Sequence, residues 1–381
     1  MRLHEAGPGT LRTTLTGLTD ALERLGALVP GPVAPTRVPP SGAVGHVLAA
    51  PLAAAADLPP VTVAAHDGVA VRADELHGAG PYAPVVLVRP ALLAQGEPLP
   101  PGTDAVVAAR AVAWRGETAE LSCPVAPGEG VLAAGHDIGA GTVWRPQGAV
   151  LSRWDLPLLA ALAGGEVLVR IPRVALLPTG ARIAASPGLD VTSTSLAALL
   201  ATDGATVQTL HPVAGRTATA EALLRAASEA DLVIMTGGCG HGAADHAAAA
   251  LADAGVLAVH GIGLRPGTTS GFGAVGGTLV ILLPGRPVDA LGTWLVLGAP
   301  VLRCLAGAPP APTRPVRLAR KLVSTPGVAE LALLRGADAA MNPLAVGEIP
   351  LAAFARAHAF LIVPAASEGY NEGTVLDCRD L

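Results

Sequence analysis

The chain has 381 residues, enough for roughly two to four domains. Hydrophobic residues make up 51% and charged residues 14%, a balance that argues against a disordered chain or a coiled coil. Aromatic residues account for only 2% and the net charge is -5, so nucleic acid and an anionic membrane surface are poor candidates for the main partner.

The sequence predicts neither a membrane span nor a signal peptide. The most apolar region, residues 278–305, is interrupted by Pro284, Gly285, Asp289 and Arg303, so no continuous apolar run of about 18 residues remains. The first residues lack the compact apolar segment of a secretory signal. The four cysteines are far apart and form no CxxC pair, which favours reduced thiols. We therefore expect a cytoplasmic protein.

Short elements separated by proline and glycine turns are predicted for the first 171 residues. Helices are expected at residues 11–25, 42–50 and 156–163. Strands are expected at residues 69–72, 85–89, 105–109 and 119–122. This pattern predicts a small β domain, residues 59–125, inserted into an elongated N-terminal region made of residues 1–58 and 126–171.

Strands alternate with helices after residue 172. The strands are predicted at residues 173–177, 205–210, 232–235, 256–260 and 278–283, and the helices at residues 195–202, 218–227, 245–254 and 288–306. This alternation predicts an α/β domain over residues 172–308, with a mostly parallel sheet covered by helices. Candidate strands at residues 316–322 and 360–363 predict a small C-terminal β domain over residues 312–381.

A glycine-rich loop, TGGCGHG at residues 236–242, directly follows an apolar strand. Glycines let backbone amides approach a ligand, and a helix that begins after the loop favours an anion. The spacing matches neither a Walker A motif nor a dinucleotide-binding fingerprint. Asp245, at the predicted start of the next helix, is either a metal-directed carboxylate or an acid favoured there by the helix dipole.

A second turn, LPGRP at residues 283–287, follows a later apolar strand. Because parallel strands end at the same edge of a sheet, we expect this turn and the glycine-rich loop to converge there. Arg265 either adds a cation for a phosphate group or is a solvated side chain on a surface turn. Taken alone, Asp67 and Asp137 are ordinary acids of turns.

The order of these segments resembles the MoeA family of molybdopterin molybdenumtransferases, to which the E-domain of gephyrin is related. The resemblance covers nearly the whole chain and depends on many short motifs in one order. These motifs are DLPP (57–60), AHDGVAVRA (65–73), LPPGTDAVV (99–107), GHDIGAG (135–141), PRVALLPTG (172–180), TGGCGHGAAD (236–245), RPG (265–267), LPGRPV (283–288), NPL (342–344), IVP (362–364) and EG (368–369).

This resemblance implies a transferase of molybdenum cofactor biosynthesis that joins molybdate to adenylylated molybdopterin and releases AMP, with Mg²⁺ as cofactor. It implies a homodimer whose site lies between the α/β domain of one chain and the inserted domain of the other. Asp67, Asp137 and Asp245 are the implied catalytic residues, and Asp245 is also the implied metal ligand. The implied substrate-binding residues are Thr179, Gly180, Thr236, Gly237, Gly238, Gly240, Gly242, Arg265, Pro284, Gly285 and Arg286.

The sequence departs from the family pattern at several polar positions. Arg182 stands where the family has glutamate, Thr192 where it has aspartate, and Thr268 where it has a second lysine. Gly240 replaces a serine and Arg286 an asparagine. Since carboxylates are ligands that Mg²⁺ prefers, the alternative hypothesis is a relative that binds molybdopterin or a related anion without turnover. A simple sugar- or nucleotide-binding module is a third hypothesis, but it leaves the inserted and C-terminal domains unexplained.

Overall fold

The computed structural model of the protein describes residues 14–162, 165–337 and 340–381. The middle part of the chain forms a mixed sheet with helices on both faces. Four neighbouring strands run parallel to one another: Thr206–Thr209, Arg173–Pro178, Leu232–Thr236 and Thr278–Leu283. The next strand, Gly271–Val275, runs antiparallel to both of its neighbours, Thr278–Leu283 and Val256–His260. The prediction of a mostly parallel α/β sheet is therefore confirmed. The strands in spatial order are Thr206–Thr209, Arg173–Pro178, Leu232–Thr236, Thr278–Leu283, Gly271–Val275 and Val256–His260.

Alternate residues of the central strands fill two separate cores. Leu176 and Ile234 belong to one hydrophobic cluster, whereas Leu177 and Met235 belong to the cluster on the opposite face. Because successive side chains of a strand point to opposite faces, a strand covered on both sides must be apolar throughout. The covering helices are Val191–Thr202 on the first face and Arg216–Glu229 and Ala247–Ala254 on the second. The short helix Ala181–Ala185 and the 3₁₀ turn Pro187–Leu189 come after the strand Arg173–Pro178 in the chain.

A long helix packs under the first face of this sheet. It consists of Pro287–Thr293, a π-helical turn over Trp294–Gly298, and Ala299–Ala306, close to the predicted 288–306. By length and composition, Pro287–Ala306 is apolar enough to cross a membrane, but 61% of its most apolar 18-residue window is buried within the protein. Its buried leucines contribute to the main core instead, which explains the apolar composition without a membrane.

The N-terminal region begins with a strand, Thr16–Gly17, followed by the helix Leu18–Leu28. The predicted helix over 11–25 is therefore wrong in its start, and residues 11–13 lie outside the described residues. The predicted helix over 42–50 is also wrong: a single turn, Pro40–Ala43, is followed by a strand, because Gly45 adopts a positive φ that breaks the helix. The predicted helix 156–163 is observed at Leu156–Ala161, and residue 163 lies outside the described residues.

Small antiparallel sheets make up the rest of this region. Val112–Arg115, Thr118–Leu121 and Val85–Val88 form one sheet, and Leu92–Leu93, Gly68–Val71 and Ala105–Ala108 form another. They contain the strands predicted for the inserted domain; the domain bounds themselves stay predictions. The remaining elements are the strands Thr36–Val38, Val47–Leu48, Leu52–Ala53, Val63–Ala64, Val131–Leu132, Val143–Arg145 and Val167–Arg170, and the 3₁₀ turns Ala73–Leu76, Ala109–Ala111 and Arg153–Asp155.

One strand of the α/β part, Ile262–Arg265, lies outside the central sheet and pairs in parallel with Ala329–Ala337 of the C-terminal part and with Thr16–Gly17. The sequence pattern did not predict this strand. The predicted strand 316–322 is also wrong, since it divides into Arg314–Leu318 and Leu322–Val323. The other C-terminal elements are Ala340–Val346, Leu351–Phe354, Ala359–Val363, Gly369–Tyr370 and Val375–Asp380.

A buried carboxylate joins a strand to a helix in the N-terminal region. The Asp155 side chain is 5% exposed and accepts hydrogen bonds from Arg145 Nε at 2.7 Å and from the Ser152 backbone N–H at 2.8 Å. Burial raises the pKa of this carboxyl group, but the hydrogen bonds and the charge of Arg145 outweigh burial, so the pKa of Asp155 lies below its ordinary value.

We expect Asp155→Asn to lower the free energy of unfolding by about 1–3 kcal/mol at neutral pH, because a charge-assisted hydrogen bond is lost. The folded-state pKa is depressed, so this contribution is fully present above about pH 5 and disappears as the pH falls further. Urea unfolding of both proteins across that range measures the difference. An equal difference at all pH values would contradict the role of the ionised carboxylate.

Candidate functional site

Three loops meet where the parallel central strands end. The register pairs Pro178 with Thr236 and Thr236 with Leu283, so these strands stop at one edge. The Gly237 N–H donates to the Leu283 carbonyl at 2.9 Å, and the Thr179 N–H donates to the Thr236 carbonyl at 2.8 Å. The expected convergence of the glycine-rich loop with the Pro284–Gly285 turn is therefore observed, and Thr179 and Gly180 lie beside them.

Neutral hydroxyl groups hold these loops together. Thr179 Oγ1 donates to the Gly237 carbonyl at 2.6 Å, and Thr192 Oγ1 donates to the Gly285 carbonyl at 2.7 Å. Ser193 Oγ and Thr236 Oγ1 lie 2.6 Å apart in the same buried layer. An ionised carboxylate only accepts hydrogen bonds, so an aspartate at position 192 could not make the bond to the Gly285 carbonyl. Thr192 therefore has a structural role here that differs in kind from that of an acid.

Glycine is required where the glycine-rich loop crosses Thr179. Gly237 and Gly238 have φ values of 81° and 63°, in the left-handed region that glycine adopts readily. A Cβ on Gly237 would lie 2.7 Å from the Thr179 carbonyl oxygen, and one on Gly238 would lie 2.6 Å from Thr179 Oγ1. The close approach of two backbones explains both glycines without a ligand.

Asp245 folds back onto the glycine-rich loop. Its Oδ2 accepts the Gly242 N–H at 2.9 Å, and a Cβ on Gly240 would lie 2.6 Å from the same oxygen. The following helix begins at Ala247, so the prediction that Asp245 starts that helix is wrong. These contacts show what Asp245 does within the loop, while its roles toward a substrate or a metal stay predictions.

A cavity of about 600 Å³ lies beside this edge, a size typical of ligand pockets. It contains two arginines, Arg265 and Arg286, together with the hydroxyl-bearing Thr268 and Thr269. The cavity adjoins the glycine-rich loop, since Thr269 Oγ1 lies 3.8 Å from Cys239 Sγ. Its remaining wall comes from both the α/β part and the C-terminal part: Pro266, Gly267, Val288, Asp289, Gly347, Glu348, Ile349 and Pro350.

An ion pair with the buried acid Glu330 anchors the half-buried Arg265 to the C-terminal sheet. Arg265 Nη1 lies 3.0 Å from Glu330 Oε1, and the Glu330 side chain is only 4% exposed. Glu330 Oε2 also accepts hydrogen bonds from Ser324 Oγ at 2.7 Å and from the Thr325 N–H at 3.1 Å. Gly347 makes room for this pair, since a Cβ there would lie 2.3 Å from Glu330 Oε1.

The sequence prediction did not include Glu330, although a signal was present. This residue is the one acid in the apolar run AELALL at residues 329–334. Ionisable side chains are rarely buried without a partner, so an acid inside an apolar strand indicates a buried pair. The partner, Arg265, is 65 residues away in sequence, and only the fold identifies it.

Asp67 and Asp137 are exposed and lie in the N-terminal region. Asp67 Oδ1 accepts the Gln95 N–H at 2.7 Å, and the Asp137 N–H donates to the Leu58 carbonyl at 2.9 Å. Within the described parts of the chain, no hydrogen bond or ion pair joins either residue to the glycine-rich loop or to the cavity. Their catalytic roles stay predictions.

The side chains near the glycine-rich loop do not favour a nucleophilic or a metal-dependent reaction. Cys239 is buried, and burial raises the pKa of its thiol to about 11, so the thiolate is scarce at neutral pH. His260 Nε2 is hydrogen-bonded to the Cys239 carbonyl at 2.8 Å, a structural contact. Over residues 14–162, 165–337 and 340–381, no group of three or more His, Cys, Asp or Glu side chains is arranged to hold a metal ion.

The ion pair of Arg265 with buried Glu330 leads to a prediction about stability. Glu330→Gln should lower the free energy of unfolding by about 1–3 kcal/mol, because the buried hydrogen bonds to a charged acceptor are weakened. Glu348→Gln, an exposed acid on the same cavity, should change it by no more than about 0.5 kcal/mol. Urea denaturation of the two variants makes the comparison, and equal effects would show that burial and pairing of Glu330 are unimportant.

Comparisons with known proteins agree with this architecture. Residues 16–163 match the MoeA N-terminal region (domain I and II), and residues 175–304 match a probable molybdopterin binding domain. Molybdopterin molybdenumtransferase 2 of Mycobacterium tuberculosis is 32% identical over 320 residues, which cover 75% of this chain and 78% of that protein. Molybdopterin molybdenumtransferase of a Nostoc species is 29% identical over 294 residues, covering 69% and 67% of the two chains. A crystal structure of the molybdopterin biosynthesis MoeA protein from Pyrococcus horikoshii has a TM-score of 0.76 at 25% identity, covering 97% of this chain and 99% of that one.

Proposed function

The chain belongs to the MoeA family, and we propose that it is a transferase of molybdenum cofactor biosynthesis that joins molybdate to adenylylated molybdopterin and releases AMP. We infer the class of reaction from membership of this family. Molybdopterin and molybdate are the substrates that fit it, and both are anionic. A relative that only binds molybdopterin is the weaker hypothesis, because the named relatives are transferases.

The observation that carries the proposal on this chain is the cavity with two arginines at the edge of the α/β sheet. Arg265 and Arg286 offer planar donors suited to tetrahedral or phosphate oxygens. The hydroxyl groups of Thr268 and Thr269 add neutral donors. Ligands of open α/β sheets bind beyond the carboxyl ends of the strands, which is where this cavity lies. We assign it to an anionic oxygen group of the substrates.

The glycine-rich loop is the second part of the proposed site. Gly237 and Gly238 let the loop cross Thr179, which sets the path of the loop backbone beside the proposed ligand, and the helix Ala247–Ala254 that follows adds partial positive charge. In this proposal Thr179, Gly180 and the Pro284–Gly285 turn shape the floor between the loop and the cavity. Asp245 orders the loop through Gly242 and acts electrostatically on the bound substrate.

Magnesium does not fit these residues as a resident metal. Asp245 is the one acid of the loop, and its Oδ2 already accepts a backbone hydrogen bond. The described residues hold no cluster of three acidic or other metal-binding side chains. Mg²⁺ is often held by one or two carboxylates together with substrate phosphates, so in our proposal any magnesium enters with the nucleotide. We assign no step of the reaction to it.

AMP release from adenylylated molybdopterin in the presence of molybdate tests the proposed function. Arg286→Gln should lower kcat/KM at least about tenfold, because a charged donor to the bound anion is lost. Arg356→Gln, which removes an exposed arginine outside the cavity, is the matched control and should leave the rate unchanged. Binding of adenylylated molybdopterin without AMP release would favour the relative that lacks turnover, and absence of both would reject the family function for this chain.

We also propose that the protein acts in the cytoplasm as a homodimer in which Asp67 and Asp137 reach the site of the partner chain. The proposal is supported by their exposure and by the lack of contact with the cavity within one chain, as far as the described residues go. Light scattering at micromolar concentration should give about twice the chain mass of 37.7 kDa. A mass equal to that of one chain would contradict a site shared between two chains.

A further inference from the structure

An acid, Asp289, shares the cavity with the two arginines. It lies in the first turn of the helix Pro287–Thr293, and its Oδ1 is 3.9 Å from Arg286 Nη1. The Asp289 side chain is 26% exposed, whereas the Arg286 side chain is 68% exposed. Neither the sequence motifs nor the proposed function uses Asp289, although it lines the cavity that we assign to an anion.

The charges around Asp289 come from four parts of the chain. Arg286 lies on the preceding turn, and Arg265, whose charge is matched by buried Glu330, lies across the cavity. Glu348 is on the C-terminal wall. The glycine-rich loop contributes Asp245 and Cys239, whose thiol is subject to the charges of both Asp245 and Asp289. Two histidines, His241 and His260, lie beside Cys239 with their ring centroids 5.5 Å apart and their rings tilted by 59°.

The cavity therefore has no excess of positive charge when Asp289 is ionised, because Arg265 and Arg286 stand against Glu330, Glu348 and Asp289. Of the two arginines, Arg265 is engaged by Glu330 at 3.0 Å, so Arg286 supplies the less compensated positive charge. An ionised Asp289 beside Arg286 offsets that charge and repels an incoming dianion. Protonation removes the repulsion and turns the carboxyl group into a hydrogen-bond donor.

We propose that Asp289 takes up a proton when a tetrahedral oxyanion binds in this cavity, so that this carboxyl group sets the pH dependence of anion binding. The inference rests on the proposed function, because it takes the cavity to be the anion site. It adds to that site a residue that sets how anion binding depends on pH.

The direction of the effect follows from linkage. A bound anion raises the pKa of a neighbouring carboxyl group, so binding takes up a proton and is favoured as the pH falls. Burial already raises the pKa of Asp289 above its ordinary value, although the charge of Arg286 opposes the shift. Between the pKa of the free protein and that of the complex, the dissociation constant should rise by up to about tenfold per pH unit.

Calorimetric titration with sulfate tests this inference, because sulfate is a tetrahedral dianion whose own charge is constant between about pH 5 and pH 8. Wild-type protein should bind sulfate more weakly as the pH rises. Asp289→Asn should bind with nearly constant affinity and more tightly than wild type at the upper end of the range. Glu348→Gln is the matched control: it removes an exposed acid from the same cavity and should keep the wild-type slope.

The outcomes separate this inference from the proposed function. If wild-type protein binds neither sulfate nor molybdate at any pH, the assignment of the cavity to an anion fails, and the inference fails with it. If anions bind but Asp289→Asn keeps the wild-type slope, Asp289 does not set the pH dependence, and only the inference is overturned. Asp289→Ser should give the same flat profile, and it replaces the Asn variant if that variant does not fold.

Discussion

The pairing of the strand Leu232–Thr236 between its two parallel neighbours is the constraint on which the rest of the site depends. All of its residues are buried, and alternate side chains fill the cores on the two faces of the sheet. A shift of one residue would exchange those faces, so the register is strongly specified. This register ends the three strands together and brings Thr179, the glycine-rich loop and the Pro284–Gly285 turn within hydrogen-bonding distance.

The strand Ile262–Arg265 connects the α/β part with the C-terminal part. Its pairing with Ala329–Ala337 joins the α/β part to the C-terminal sheet, and the ion pair with buried Glu330 fixes the Arg265 side chain at that junction. The cavity wall thus depends on two parts of the chain that are far apart in sequence. The C-terminal part is better described as one side of the proposed anion site than as an independent appendage.

The contacts at this edge explain two departures from the family pattern, Thr192 and Arg286. Thr192 donates to the Gly285 carbonyl, a bond that an ionised aspartate could not make. Near the cavity, Arg286 faces Asp289, so a cation and an acid occur together on the same turn of the chain. The sequence by itself suggested a loss of carboxylates, whereas the structure shows that neutral hydroxyls and a new acid–arginine pair occupy this edge.

The α/β class, five of the six strands of the central sheet and the loops that follow them were predictable from the sequence, because continuous apolar runs and glycine turns are local signals; the strand Gly271–Val275, which contains two glycines, was not predicted. It also predicted that the two main loops converge, since parallel strands end at one edge. Local patterns could not identify the partner of Glu330, the strand Ile262–Arg265, or the position of Asp289 beside Arg286 in a shared cavity. Those features depend on residues brought together from distant segments, or on which way a turn presents its side chains, and only tertiary packing decides them.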